Sequence, residues 1–182
     1  MILSKLAELV ETAVTTPPSP KIVNMCQEYY EPYYYLMYLL AAQVQQGDIV
    51  ELGVSKGYGV SSFAYGNPDV KVIGLDLNVS PIFCPDNVDF HLMSALPVPD
   101  FIGDVAILHI DTEHSFSNAC NEFQQYRKHL LPGAVVMFDD LHAMDDGVLG
   151  CFQSLPFPKI QEDRLHPVNG YGVMIYEERS KQ

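Results

Sequence analysis

The sequence is short of positive charge: 10 lysines and arginines stand against 23 aspartates and glutamates, a formal net charge of −13 over 182 residues. Such a chain repels a phosphate backbone instead of releasing its counterions, which argues against bulk nucleic-acid binding and against docking on anionic membranes. A long apolar run is also missing. The longest, 33–42, reaches about half of the roughly 20 residues that a membrane-spanning helix needs. At the N-terminus Ser4, Lys5, Glu8 and Glu11 interrupt what a secretory signal would keep continuously apolar, so the expected location is cytoplasmic. Cys26, Cys84, Cys120 and Cys151 form no CxxC pair, so spacing indicates neither a zinc knuckle nor a disulfide framework, and the four are expected to be reduced and mostly packed. No internal repeat and no low-complexity segment interrupts the chain.

What is present is ordinary globular composition, 48% apolar and 18% charged, which excludes intrinsic disorder. The length predicts one domain over 1–182, burying roughly 70% of the unfolded chain's surface. Ile2, Leu6, Leu9, Val10 and Ala13 recur at helical spacing until Thr15-Thr16-Pro17-Pro18-Ser19-Pro20 breaks the pattern into a stiff linker. Glu31-Pro32 opens a second helix in which Tyr33, Leu36, Met37, Leu40 and Val44 share a face, ending near Gly47. Residues 1–46 are therefore a helical lead-in.

Beyond it, short apolar runs at 49–52, 70–75, 88–92, 105–110 and 134–138 read as strands. Between the last two, Ala119, Phe123, Tyr126 and Leu130 mark a helix over 117–131, stopped by Leu131-Pro132-Gly133. Strands that alternate with helices and are apolar on both faces predict an α/β fold: a Rossmann-like, doubly wound, mostly parallel sheet with helices on both faces. The cofactor-binding core would span 48–140, and C-terminal strands would fill 157–176, with 172–176 the last and antiparallel.

In such a sheet ligands sit beyond the carboxyl ends of the strands. The first strand runs into Glu51-Leu52-Gly53-Val54-Ser55-Lys56-Gly57-Tyr58-Gly59-Val60-Ser61, a glycine-rich turn opening a helix. It is either a bare strand-to-helix turn or a cradle where glycine admits a ligand close to the backbone. A dinucleotide fingerprint needs GxGxxG, whereas this turn reads GxxxGxG with an acid two positions before its first glycine. That carboxylate suits a cofactor bearing an amino group and a cationic sulfur better than a pyrophosphate. The second strand ends in Asp76, followed by Leu77; an acid there can accept from ribose hydroxyls, or can simply form a turn.

Glu51-x-Gly53-x-x-x-Gly57, with Asp76 and then Ser94 after the third strand, resembles the class I S-adenosylmethionine-dependent methyltransferases. The resemblance covers roughly 48–138. It implies a cofactor site formed by Glu51, Gly53, Val54, Ser55, Gly57, Tyr58, Gly59, Ser61, Asp76, Leu77, Ser94 and Asp111. His109-Ile110-Asp111-Thr112-Glu113-His114-Ser115-Phe116, followed by Leu131-Pro132-Gly133-Ala134-Val135-Val136-Met137-Phe138-Asp139-Asp140, is similar to the metal-dependent O-methyltransferase branch, catechol-type and macrolide-sugar type. That likeness implies Mg²⁺ on Asp111, Asp139 and Asp140, and a small-molecule acceptor carrying a hydroxyl. Physically, strands about 4.8 Å apart can bring such carboxylates onto one hard cation; alternatively, Asp139 and Asp140 cap a turn and Asp111 caps a helix.

His114 stands where catechol-type enzymes carry a lysine base, three residues after Asp111. It is read either as the proton acceptor, with Asp111 beside it in the catalytic pair, or as a loop histidine holding backbone; His142 is a second candidate base. Tyr29, Tyr30, Tyr33, Tyr34, Tyr35 and Tyr38 either cover the cofactor and acceptor or form core and a subunit interface, and a homo-oligomer could complete the pocket. Two other classes compete. His109-x-Asp111 with His142 or His166 has the spacing of a facial iron triad, but the helix between two buried strands contradicts the β-helix which those oxygenases need. A non-catalytic cofactor-binding or interaction module would have no use for three converging carboxylates.

Overall fold

The computed structural model describes residues 1–26, 29–78, 81 and 84–177. Seven strands form one sheet: β1 (Asp48–Leu52), β2 (Val72–Asp76), β3 (Val88–Leu92), β4 (Val105–Ile110), β5 (Leu130–Phe138), β6 (Lys159–Gln161) and β7 (Gly172–Ile175). Their order is β3-β2-β1-β4-β5-β7-β6. The first five run parallel, and β7 lies antiparallel to both β5 and β6.

Among the described residues, six helices flank the sheet: α1 (Leu3–Thr15), α2 (Pro20–Cys26), α3 (Pro32–Ala41), α4 (Tyr58–Gly66), α5 (Phe116–Tyr126) and α6 (Gly147–Ser154). The central strands are apolar on both faces because both are covered. Ile49, Val72, Ile107, Val135 and Val173 pack with α1, α3 and α4, while their neighbours Val50, Ile73, Leu108, Val136 and Met174 pack with α5 and α6. Strand order reverses between β1 and β4, so the crevice for a ligand opens where Gly53 and Asp111 leave those two strands.

Three local expectations need correction. The proline-rich stretch is not only a linker: Pro20 begins α2, Ser19 O accepts from the Ile22 and Val23 N–H groups, and proline suits a helix's first turn, where no donor is lost. The helix expected to 131 ends at Tyr126, because Leu130 pairs with Val105 and already belongs to β5. Helix α6 was not anticipated; Gly147 and Gly150 within eight residues lower its intrinsic propensity.

The cysteines also depart from expectation. Cys120 on α5 and Cys151 on α6 form a disulfide, with Cα atoms 5.6 Å apart, while Cys26 is buried and Cys84 exposed. Side-by-side packing of two helices creates that pair, and linear spacing carries no trace of it. No helix among the described residues is long and apolar enough to cross a membrane.

Candidate active site

The turn after β1 is shaped by its glycines. Gly53 has φ +84°, and a Cβ there would run into the backbone carbonyl of Asp111. Gly57 has φ +88° and starts α4 from a left-handed N-cap. A Cβ on Gly59 would overlap the Glu51 carboxylate, so this helix position is open to let an acid lie against it. Asp76 fastens the turn from β2: its Oδ2 accepts from the Val54 and Ser55 N–H groups, both at 2.8 Å, and its Oδ1 from Asn78 N at 2.9 Å. Burial alone would raise its pKa, but these backbone donors outweigh it and hold the carboxyl below 3.8.

Two cavities flank the junction of Gly53 and Asp111. The larger, about 370 Å³, is lined by Gly53, Asp76, Leu77, Ser94, Asp111 and Glu122 among others. The smaller, about 210 Å³, is lined by Glu51, Val54, Ser55, Tyr58, Gly59 and Asp111, with Tyr29, Tyr33 and Tyr34 above. The sequence-predicted cofactor residues thus divide between them, with two exceptions. Gly57 shapes the turn from behind, and Ser61, one turn into α4, is fully buried and lines neither cavity. Ser94 closes its own loop, its hydroxyl donating to Leu96 O at 2.7 Å.

The acids meet as the register of β4 and β5 dictates. Ile110 pairs with Phe138, so Asp111 and Asp139 leave neighbouring strand ends together. Asp111 does not cap α5; Ser115 does, accepting from Asn118 N. Asp139 Oδ1 does accept locally from Asp140 N at 2.8 Å, and Asp140 sits at φ +52°. Two histidines enter the cluster. His114 Nε2 lies 3.3 Å from Asp111 Oδ1 and its Nδ1 3.3 Å from Asp140 Oδ2. His166 Nδ1 lies 3.0 Å from Asp139 Oδ1 and 3.3 Å from Asp140 Oδ1. Burial and the charge of Asp139 push the Asp111 carboxyl up to about 7, and the hydrogen bond that His114 donates to Asp111 raises His114. His142 stands apart, paired with Asp146 and Asp163.

Sequence reasoning missed the partner of Glu51. His109, its register neighbour on β4, hydrogen-bonds it through Nδ1 at 2.9 Å, with side chains 1% and 2% exposed. Glu51 Oε2 has no hydrogen-bond partner among the described residues and is buried beside the smaller cavity, which fits a ligand's ammonium group. The sequence reading weighs His166 only with Asp111 in the competing iron triad, not beside Asp139 and Asp140. It comes from the loop before β7, where no local pattern marks it. The tyrosines divide: Tyr33 stacks on Tyr171 at 4.9 Å and roofs the cavity with Tyr34, whereas Tyr30 and Tyr38 pack around α2.

Residues 50–141 match a family model described as a methyltransferase domain. No curated protein matches the chain by sequence. Among solved structures, an O-methyltransferase from Bacillus cereus in complex with SAH shares 13% identity and a TM-score of 0.64, covering 96% of this chain and 100% of its own. A methyltransferase from Geobacter sulfurreducens gives 16% identity and a TM-score of 0.63, covering 94% of this chain and 96% of its own. The TDP-rhamnose 3′-O-methyltransferase of calicheamicin biosynthesis gives 15% and 0.57, covering 95% and 93%. At such identities the likeness is one of fold.

Proposed function

The chain belongs to this methyltransferase-domain family, and from that premise we propose that it transfers the methyl group of S-adenosylmethionine to a hydroxyl oxygen of a small molecule with the help of Mg²⁺. The observation that carries this reading is that two cavities share Asp111 as a wall, one bearing Asp76 and the other a Glu51 oxygen without a hydrogen-bond partner among the described residues, next to a carboxylate cluster.

When bound, the cofactor supplies an electrophilic methyl group, and the cation a Lewis acid which acidifies an acceptor hydroxyl. The chain's own residues do the rest. Glu51 accepts from the cofactor's ammonium, Gly53 and Gly57 let the turn approach it, and Asp76 and Ser94 face its nucleoside. Asp111, Asp139 and Asp140 hold the cation. His114, against Asp111, would take the acceptor's proton. Tyr33 and Tyr34 keep water from the reacting groups. The named neighbours in the fold, one carrying SAH and one methylating a sugar hydroxyl, agree with this reading.

The test is a thermal-shift series with S-adenosylhomocysteine, NAD and 2-oxoglutarate, each with and without Mg²⁺. Stabilisation by S-adenosylhomocysteine alone among the three is expected; stabilisation by NAD or 2-oxoglutarate instead would overturn the assignment.

A further inference from the structure

We propose that His109 is an imidazole ligand to the cation, and that this site therefore takes a first-row divalent transition metal in preference to Mg²⁺. The inference rests on the metal-assisted reading above and replaces its Mg²⁺ with another class of divalent cation.

Three observations converge on the ring. Glu51 fixes one side of it: Oε1 stands 2.9 Å from Nδ1 across the β1–β4 register. The carboxylate holds a proton on Nδ1 and leaves the Nε2 lone pair free, an arrangement typical of a metal-binding histidine with a carboxylate behind it. Nε2 is buried with no hydrogen-bond partner among the described residues, although the side chain is only 1% exposed. A buried polar atom left unpaired is destabilising unless something meets it. Finally, His109, Asp111 and Asp139 offer ligand atoms that all lie within 4.8 Å of one another. Asp111 follows the end of β4 two residues after His109, and Asp139 leaves the neighbouring strand beside it.

Packing keeps the ring in place. Phe63 meets it edge-on at 6.3 Å between centroids, and Tyr171 lies at 5.9 Å. Mg²⁺ favours oxygen donors and retains its waters, whereas imidazole suits later divalent metals. A mixed nitrogen and oxygen set at the end of β4 and β5 thus favours Mn²⁺, Fe²⁺ or Co²⁺.

The experiment uses the whole chain without cofactor. Mn²⁺ and Mg²⁺ affinities are measured by calorimetry, and nitrogen ligation of Mn²⁺ is read by electron spin-echo modulation. Mn²⁺ is expected to bind more tightly than Mg²⁺ and to show nitrogen modulation. Glu51→Gln should weaken Mn²⁺ about 10–100-fold, His109→Phe at least as much, with Mg²⁺ far less affected. The doubly substituted His114→Gln/His166→Gln chain should keep the nitrogen signal, a readout that leaves the buried ring in place should His109→Phe not fold. Loss of that signal in the double variant, or Mn²⁺ binding indifferent to His109→Phe, overturns the inference while leaving Mg²⁺ assistance standing. A wild-type chain that binds neither cation overturns both.

Discussion

Asp76 Oδ2 accepts the backbone N–H groups of both Val54 and Ser55 at 2.8 Å, so the acid ending β2 holds the turn that follows β1. A carboxylate has about four acceptor positions, and here most serve the protein's own backbone. On the proposed reading, cofactor affinity and local order are coupled through this one side chain. Asp76→Ala is expected to cost about 1–3 kcal/mol of S-adenosylhomocysteine affinity by calorimetry and to lower the melting temperature as well. Unchanged affinity in a folded variant would remove Asp76 from the cofactor site.

The same clamp makes the turn acid-sensitive. The folded pKa of Asp76 lies below the ordinary 3.8, held down by backbone donors despite partial burial. Its stabilisation is present above the ordinary value and is lost as pH falls through the folded one. Denaturation followed from about pH 5 to pH 3 should show wild type losing stability more steeply than Asp76→Asn, below about pH 4. Parallel curves for the two chains would show that the clamp contributes nothing.

Gly53 is constrained twice, by φ +84° and by the Asp111 carbonyl that a Cβ would strike. Backbone strain of this kind costs about 1–3 kcal/mol before the clash is counted. Gly53→Ala should therefore lose that much stability or more in urea, and should pry β1 from β4 where both cavities meet. A variant as stable as wild type would show that the two strand ends have room to part.

Much of this was legible in the sequence, for identifiable reasons. Runs such as Ile49-Val50 and Ile107-Leu108 announced strands covered on both faces, and the antiparallel Gly172–Ile175 came out beside β5. Asp111 and Asp139 were legible because strand ends carry site residues in this architecture. His109 could have been found by the same logic: it shares a face with Asp111 and, once β1 and β4 are neighbours, stands opposite Glu51. His166 enters the sequence reading only through the competing triad spacing; its contact with Asp139 comes from a loop between β6 and β7, and no periodicity governs a loop. The end of α5 was misread since Leu130 continues the helical spacing of Phe123 and Tyr126, and only pairing with Val105 claims it for β5.

Removal of divalent cations separates the two halves of the proposed chemistry. Thorough chelation should abolish turnover and leave most S-adenosylhomocysteine affinity, because of the three proposed cation ligands only Asp111 lines the cavities. His114→Gln should lower the turnover number about 10²–10⁴-fold with cofactor affinity retained, as expected for a lost proton acceptor. Turnover that persists in chelator would assign the enzyme a metal-free route, and an undiminished rate in His114→Gln would move the base elsewhere.

The Cys120–Cys151 bridge ties α5 to α6 across 31 residues of sequence. Both helices pack on the face of the sheet opposite α1, α3 and α4, so the bond staples one layer without touching the acids. In the loop-closure picture a ring of that length stabilises the native state by about 3–4 kcal/mol, chiefly by restricting the unfolded chain. Under non-reducing, denaturing conditions thiol titration should count two free cysteines, Cys26 and Cys84, and after reduction all four. Cys120→Ser should lower the melting temperature of the oxidised protein to that of the reduced wild type. Four titratable thiols before reduction, with a melting temperature indifferent to reductant, would show that the two sulfurs merely pack against each other.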